Sequence, residues 1–319
     1  MTPTPPKRCI RIDASYLSSN SGCEMATHLA LLQGYRSPIP SNDMQFGTAF
    51  HHFAAEMYRT GGDVATSLKG ATEIFARPCN VKTNKQYMTK MYLTTTCFDW
   101  WEWHQRVDQH VVLQLPDGTP AVEQSFAFPV FEDEACIIEL CGTIDRIGKI
   151  KNGCFAIVDY KTTSVTDKLG YLEQYELSVQ LRTYYKAIQY YASVAPDSIY
   201  AAINKEPIGV RIDGIFLQGA TKPVEFISSD VMLLSAFDMA EYDILLQRTC
   251  HKLAALVRAE HSPSPVIYRE GMMTGYCNKK YGMCSFFDYC VAKDPAVKQS
   301  ILERSFVKKF YDPLMFGKD

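Results

Sequence analysis

The sequence predicts a mixed α/β fold, with helices towards both ends of the chain and strands in the middle. Apolar residues recur at helical spacing on both sides of a central segment, 122–160, whose apolar runs are short and β-branched. Of the 319 residues, 47% are hydrophobic. This length and apolar content suffice for a packed core and exclude disorder as the main state.

Helices dominate the first 113 residues. One helix is predicted over 15–32, with a polar interruption at 18–22, and a second begins at Gly47 and ends before Gly61. A third, long helix is predicted over 86–113, and the turn-forming sequence LPDGTP follows it.

The pattern then changes to that of a sheet. Asn152-Gly153 separates two apolar runs and is typical of a two-residue hairpin turn. The predicted elements from here on are strands over 122–130, 135–147 and 154–160, a helix over 172–192, strands over 210–218 and 222–227, and a helix over 229–260.

The composition of the chain limits the classes of function that are possible. The chain has 33 Lys+Arg against 35 Asp+Glu, so it is not globally basic, although a local basic patch remains compatible with this balance. The sequence contains no stretch of ~18 consecutive apolar residues, so we expect no membrane-spanning helix. The N-terminus lacks the apolar run of a signal peptide, which favours a cytoplasmic protein. In that reducing compartment the 11 cysteines are expected to be buried thiols or metal ligands rather than disulfides.

Two acids and a lysine stand out in the predicted sheet. Asp145 and Asp159 each lie at the end of an apolar run, and Lys161 shares a strand face with Asp159. A hairpin centred on residue 152 pairs 145 with 159, which brings all three side chains together. Such a cluster suits a hard divalent cation with a lysine beside it. The alternative is two surface aspartates and a solvated lysine, which an isolated D-x-K would favour.

Other candidates come from the helices. His51 follows Gly47 in a G-x-x-x-H pattern, and His52, about 100° further round the helix, is the competing ligand. Gln180 and Tyr184 are four residues apart and therefore share a helix face. Taken alone, each of these patterns is typical of ordinary packing. Glu123 is interpreted as a solvent-facing strand residue, with an additional site acid as the alternative.

Taken in order, G-x-x-x-H, G-x-x-D, D-x-K and Q-x-x-x-Y resemble the RecB-like branch of the PD-(D/E)XK nuclease superfamily, over residues 47–184. The resemblance implies a restriction-endonuclease-like core, with a mixed central sheet flanked by helices. It also implies a metal-dependent deoxyribonuclease, an exonuclease acting in DNA replication, recombination or repair. The third motif of the family is often Glu-x-Lys, and Asp159-x-Lys161 is a common variant of it.

The resemblance also implies roles for the individual residues. The metal, Mg²⁺ or Mn²⁺, would be bound by His51, Asp145, Asp159 and the backbone carbonyl of Tyr160. Lys161 would assist the attacking water or the scissile phosphate. Asp145 and Asp159 would also be catalytic residues. Gln180 and Tyr184 would complete the catalytic set by supporting the site and contacting DNA.

Three cysteines cluster near the C-terminus in the spacing C-x6-C-x5-C, namely Cys277, Cys284 and Cys290. Near the N-terminus, the pattern S-x-L-x5-C ends at Cys23 and resembles the opening of iron–sulfur RecB-like nucleases of the AddB and CRISPR-adaptation types. This resemblance implies a [4Fe-4S] cluster in a C-terminal lobe, held by these four cysteines, and the looser spacing resembles phage or prophage versions, which would act in the host cytoplasm. A zinc site made of the same four cysteines is the rival interpretation.

The expected partner is DNA, with single-stranded DNA as one option. Because the whole chain is nearly neutral, local basic residues would have to bind it. The expected contacts are Arg146, Arg182, Lys279 and Lys280. The sequence carries no G-x-x-x-x-G-K-[ST] motif, so a helicase, recombinase or single-strand-binding protein would be a separate partner.

We expect one nuclease domain over 1–319. Its parts are an N-terminal segment, 1–46, with the first cluster cysteine, a nuclease core, 47–228, and a helical part, 229–319, with the remaining cluster cysteines. The alternative function is a non-catalytic DNA-binding or assembly module that keeps the nuclease fold and a zinc staple.

Overall fold

The structure, a computed structural model, describes residues 7–19, 22–107, 111–150, 154–205, 208–219, 221–260, 262, 266–279, 282–310, 312 and 314. Among these residues, no helix combines the length and the apolar character needed to cross a membrane. The predicted turn at Asn152-Gly153 and the predicted DNA contact Lys280 lie outside the described residues.

The described residues form twelve α-helices and twelve strands, with short 3₁₀ and π-helical turns besides them. The helices are α1 (Ala14–Ser19), α2 (Glu24–Thr27), α3 (Asn42–Arg59), α4 (Val64–Phe75), α5 (Lys90–Val107), α6 (Lys168–Glu173), α7 (Val179–Val194), α8 (Ile199–Ile203), α9 (Ala236–Glu260), α10 (Glu270–Thr274), α11 (Phe287–Val291) and α12 (Pro295–Ser305). The strands are β1 (Arg8–Ile12), β2 (Tyr35–Arg36), β3 (Val111–Val112), β4 (Val122–Glu132), β5 (Cys136–Lys149), β6 (Phe155–Thr163), β7 (Ile208–Phe216), β8 (Glu225–Ser228), β9 (Met232–Leu233), β10 (Asn278–Lys279), β11 (Gly282–Met283) and β12 (Val307–Lys308).

The main sheet is mixed, which confirms the predicted α/β class. Its order is β1-β5-β6-β7-β8, with β3 and β4 also on β5 and β9 on β7. Strands β5 and β6 are antiparallel and pair Arg146 with Val158, the register of a hairpin centred on residue 152. Strands β6 and β7 are parallel, and α6, α7 and α8 lie between them in the chain.

The chain groups into two compact units, and each is made of several segments. The first contains 1–38, 126–142 and 240–316, and the second contains 39–125, 143–239 and 317–319. The predicted divisions at 46 and 228 stay a prediction. Strands β4 and β5 contribute residues to both units.

The core of the second unit is aromatic. Trp100 of α5 is fully buried, and its ring lies 5.4 Å from that of Phe50 and 5.6 Å from that of Tyr160, both edge-on. Phe53 completes the group from the next turn of α3 at 6.1 Å. This packing fixes the rotation of α3 about its axis, and with it the direction in which the site residues of this helix point.

Several helix boundaries differ from the predictions. The helix predicted over 86–113 ends at Val107, because Val111 pairs with Lys149 in the sheet. The helix predicted from residue 229 begins at Ala236, because Met232 pairs with Val210. Two helices divide the segment 172–192, since the Ser178 side chain accepts a hydrogen bond from Leu181 N and starts α7.

In the first unit, the carboxylate of Glu260, the last residue of α9, binds side chains from β1 and from residues 28–33. Its carboxylate lies 2.8 Å from His28 Nδ1 and accepts hydrogen bonds from Gln33 Nε2 at 3.0 Å and Arg8 Nη1 at 2.8 Å. Burial alone would raise the pKa of Glu260, but these three donors outweigh it and lower that pKa below its ordinary value.

Candidate metal centre

His51 and two acids form the centre of the candidate site. His51 Nδ1 lies 3.3 Å from Asp145 Oδ2 and 3.9 Å from Glu123 Oε1. One ligand atom from each of these three residues lies within 4.8 Å of the other two. His52, the competing ligand, instead packs against α4, where its ring occupies the space that a Cβ on Gly70 would need. The position of α3 therefore selects His51.

Glu123 belongs to this group, although the sequence pattern favours a solvent-facing position for it. Its backbone is left-handed, with φ 48°, which is uncommon for a residue other than glycine. The neighbouring Val122 is buried, and its carbonyl accepts a hydrogen bond from the Gln124 side chain at 3.0 Å. No sequence pattern marks this conformation, so the residues alone do not include Glu123 among the predicted ligands.

The two predicted aspartates lie within their strands rather than at the strand ends. Asp145 is 7% exposed, and its Oδ2 accepts a hydrogen bond from Tyr160 N at 2.7 Å. This bond joins β5 to β6 just beyond their regular pairing. Buried carboxylates need such partners, because an uncompensated charge in the interior is costly.

Asp159 is held by a different set of groups. Its Oδ2 lies 2.5 Å from Lys161 Nζ, and its Oδ1 accepts hydrogen bonds from Gln180 Nε2 at 3.1 Å and Tyr184 OH at 3.3 Å. Gln180 also donates to Tyr184 OH at 2.5 Å. Strand alternation puts Asp159 and Lys161 on one face of β6, and one helical turn puts Gln180 and Tyr184 on one face of α7. The structure thus brings the D-x-K and Q-x-x-x-Y motifs into direct contact.

The charges in this cluster shift one another. Burial lowers the pKa of His51, but Asp145 and Glu123 outweigh it and raise that pKa to about 9. Burial raises the pKa of Asp159, and nearby Asp145 adds to the rise against the opposing effect of Lys161. The pKa of Lys161 is raised, because the two aspartates outweigh its burial. The cluster therefore attracts cations.

The four predicted cluster cysteines lie close together in the first unit. Burial raises the pKa of Cys290 to about 11, and the nearby thiols of Cys23, Cys284 and Cys277 add to the rise. A Cβ on Gly271 would lie 3.2 Å from Cys277 Sγ and 3.4 Å from Cys23 Sγ. A larger side chain at Gly271 would therefore occupy space beside these sulfurs.

Two of the predicted DNA contacts are buried, which argues against that role. Arg146 has 0% exposure, lies 3.6 Å from Asp213 Oδ2 and donates to Tyr58 OH. Arg182 is 5% exposed and donates to Asp238 Oδ1 at 2.9 Å. Arg146 thus compensates a buried acid, and Arg182 pairs with a partly exposed one. Lys279 lies in β10, and its contact with DNA stays a prediction.

Comparison with known protein families agrees with this arrangement. The model of the PD-(D/E)XK nuclease superfamily matches residues 14–290. The chain belongs to the PD-(D/E)XK nuclease superfamily. None of the curated proteins matches the chain. Seventeen solved chains match it, among them one titled "Crystal structure of SSO0001", at 10% identity and a TM-score of 0.27 over 69% of this chain and 85% of that one.

Superfamily members are generally metal-dependent nucleases, and the donor set of this chain fits such a metal. An imidazole and two carboxylates within 4.8 Å suit Mn²⁺, and the carboxylates suit Mg²⁺. Asp159 is not part of that closest group among the described residues, so its role as a metal ligand stays a prediction. The same holds for the backbone carbonyl of Tyr160.

Proposed function

We propose that this protein is a metal-dependent deoxyribonuclease that hydrolyses phosphodiester bonds. The observation that carries the proposal is the group formed by His51, Glu123 and Asp145 beside the ion pair of Asp159 and Lys161. A divalent cation bound there would activate water and stabilise negative charge on the phosphate.

The residues of the chain then have distinct roles. His51, Glu123 and Asp145 hold Mg²⁺ or Mn²⁺, with Asp159 and the carbonyl of Tyr160 as further oxygen ligands. Lys161 offers a positive charge and a hydrogen-bond donor to the scissile phosphate or the attacking water.

Gln180 and Tyr184 are positioning residues. Both donate to Oδ1 of Asp159, which leaves Oδ2 directed towards Lys161. In this arrangement they set the orientation of the carboxylate without contacting the metal themselves. Their contact with DNA, expected from the resemblance, remains part of the proposal.

A [4Fe-4S] cluster bound by Cys23, Cys277, Cys284 and Cys290 is the second part of the proposal. The nearness of the thiols of Cys23, Cys277 and Cys284 to Cys290 supports one shared site for the four, whose role would be to join residues far apart in the sequence. A zinc ion bound by the same four thiolates is the alternative.

The resemblance to RecB-like nucleases supports the finer parts of the function. These are exonuclease action, a place in DNA replication, recombination or repair, and a separate helicase, recombinase or single-strand-binding protein as partner. The alternative function, a non-catalytic DNA-binding module, conflicts with the complete set of His51, Asp145, Asp159 and Lys161.

Digestion of labelled DNA tests the nuclease. Linear and circular DNA, single- and double-stranded, is incubated with the protein in Mn²⁺ and in EDTA. We expect loss of the linear forms in Mn²⁺ only, and no loss in the variants Asp145→Asn and Lys161→Met after circular dichroism has confirmed that both are folded. Cleavage of circular DNA would overturn the exonuclease assignment, and binding without cleavage of any form would favour the non-catalytic module.

Spectroscopy tests the cluster independently. Anaerobically purified protein should be brown and absorb near 400 nm, and elemental analysis should find iron rather than zinc. Zinc without iron would refute the cluster and leave the nuclease assignment intact.

A further inference from the structure

In the second unit, the segment 80–85, which carries Lys82 and Lys85, is held by hydrogen bonds at the start of α3. Asn42 N donates to Asn80 O at 3.0 Å, and Asn80 N donates to Pro40 O at 2.8 Å. The side chain of Asn42, 1% exposed, donates to Lys85 O at 3.0 Å and accepts from Lys82 N at 3.4 Å. A buried amide is thus used to hold the backbone that carries Lys82 and Lys85.

The two lysines share one acid. Lys82 Nζ lies 2.8 Å from Asp43 Oδ2, and Lys85 Nζ lies 3.6 Å from Asp43 Oδ1. Lys85 also donates to the hydroxyl of Ser164, the residue that follows β6. The two lysines and Asp43 together keep one net positive charge. Ion pairs at partly exposed positions contribute little to stability, so stability alone does not account for two lysines at one carboxylate.

This lysine pair lies in line with the candidate metal centre. Along α3 and β6, the ring of His51 lies 6.1 Å from that of Tyr160, and a Cβ on Gly47 would lie 3.1 Å from Thr162 Oγ1. The lysines contact the first turn of α3 and Ser164, further along in the same direction. His51 follows Asp43 by eight positions in α3, which is a rise of about 12 Å along the helix axis.

We infer that Lys82 and Lys85 bind a backbone phosphate of the nucleic-acid strand, at a distance from the bond that is cleaved. The inference rests on the proposed nuclease function. Successive phosphates of one strand lie farther apart than the ~3.4 Å axial rise of a duplex, so ~12 Å corresponds to a few nucleotides at most. Asp43 occupies the lysines in the absence of the strand, and the phosphate replaces it. The lysine pair takes the place of the buried Arg146 and Arg182 as a source of backbone contacts.

Salt-dependent binding tests the inference without any cleavage. Anisotropy of a fluorescein-labelled single-stranded oligonucleotide is measured in EDTA for wild type, Lys82→Ala and Lys85→Ala. The double variant Lys82→Ala/Lys85→Ala should reduce the slope of log affinity against log salt by about 0.7 and weaken binding roughly fivefold near 0.1 M salt, and each single substitution should give part of this change. Lys85→Arg should restore the slope, and Lys222→Ala, in an exposed turn of the same unit, is the control for loss of one charge.

Asp43→Asn gives the opposite result if the inference holds. It removes the competing carboxylate, so affinity should rise, whereas a purely structural ion pair predicts no gain. Unchanged slopes in both lysine variants, or weaker binding by Asp43→Asn, would overturn the inference.

The position of the phosphate is tested with oligonucleotides in which one phosphate is a neutral methylphosphonate. Wild type should lose affinity when one phosphate within a few nucleotides of the cleaved bond is neutral, and the double variant Lys82→Ala/Lys85→Ala should not respond at that position. Equal losses in both proteins would refute the assigned contact. Failure of the proposed function is distinguishable, because it would appear as absent cleavage in Mn²⁺ by the wild type itself.

Discussion

Glu123 permits strain and ligand function to be separated by two substitutions. Its backbone has φ 48°, and its carboxylate lies in the group with His51 and Asp145. Glu123→Gly and Glu123→Ala both remove the carboxylate, but only glycine adopts the left-handed conformation without a steric penalty. The difference in stability between the two variants therefore measures the strain of the backbone alone.

The expected difference follows from two opposing terms. A left-handed conformation costs an L-residue about 1–2 kcal/mol, and glycine loses about 0.5–1 kcal/mol through its greater freedom in the unfolded chain. We expect Glu123→Gly to be more stable than Glu123→Ala by roughly 0.5–1 kcal/mol in EDTA. Urea unfolding measures this difference.

Mn²⁺ then tests the ligand role. A metal that binds only the folded state stabilises it by about 2.7 kcal/mol at 100 times its dissociation constant. Wild type should gain more stability from Mn²⁺ than either variant, because both lack the Glu123 oxygens. A pattern of strained backbone and lost metal binding would identify a residue whose conformation is maintained for function.

A matched pair at Ser125 provides the control. Ser125 lies two residues further along β4, is exposed and is outside the left-handed region, so its alanine variant should be more stable than its glycine variant. The strain argument is refuted if Glu123→Ala equals or exceeds Glu123→Gly in stability. The ligand argument is refuted if Mn²⁺ stabilises all three proteins equally.

Three further substitutions address other parts of the molecule. Gly271→Ala places a methyl group 3.2 Å from Cys277 Sγ, so absorbance near 400 nm should fall while circular dichroism is unchanged; full cluster loading would contradict this. Glu260→Gln should destabilise the protein at pH 7, because the lowered pKa of Glu260 contributes stability above its ordinary pKa. The difference from wild type, followed by urea unfolding, should shrink as the pH falls below about 4.3, and a constant difference would refute the charge argument. Arg146→Ala should cost about 1–3 kcal/mol, because it removes the buried donor to Tyr58 OH and one of the two arginines at Asp213, whose Oδ2 still accepts from Arg211 Nη2 at 2.8 Å. Wild-type stability with weakened DNA binding would instead restore Arg146 as a DNA contact.

The strand pairing at the centre of the fold could be predicted because it is local. The register of β5 and β6 is that of a hairpin centred on residue 152, and the Asn152-Gly153 signal together with alternating side chains predicts that centre. A turn made of Asn152 and Gly153 alone would pair 151 with 154, which differs by one residue from the register of these strands. The ends of the helices were harder to predict from the sequence. Val111 and Met232 leave their helical patterns because each pairs with a strand distant in the chain, and such pairing overrides local propensity.

The candidate site was predictable to the extent that its residues follow regular periods. Asp159 with Lys161 obeys the strand period, and Gln180 with Tyr184 obeys the helical one. Glu123 obeys neither, because its position depends on a left-handed backbone. The burial of Arg146 could not be predicted from the sequence either, because its partner Asp213 lies far along the chain on β7.

Formal charges explain why this site needs positive groups beyond its metal. With protonated His51 and Lys161, the three carboxylates of Glu123, Asp145 and Asp159 leave the cluster with one net negative charge. A divalent cation that replaces the proton of His51 brings the cluster only to neutrality. A bound phosphodiester then adds a negative charge that the cluster does not compensate. The net charge of −2 for the whole chain offers no general attraction either. Local cations outside the metal centre are therefore required to hold the strand, and the lysine pair fastened by Asn42 is a described group that meets this requirement.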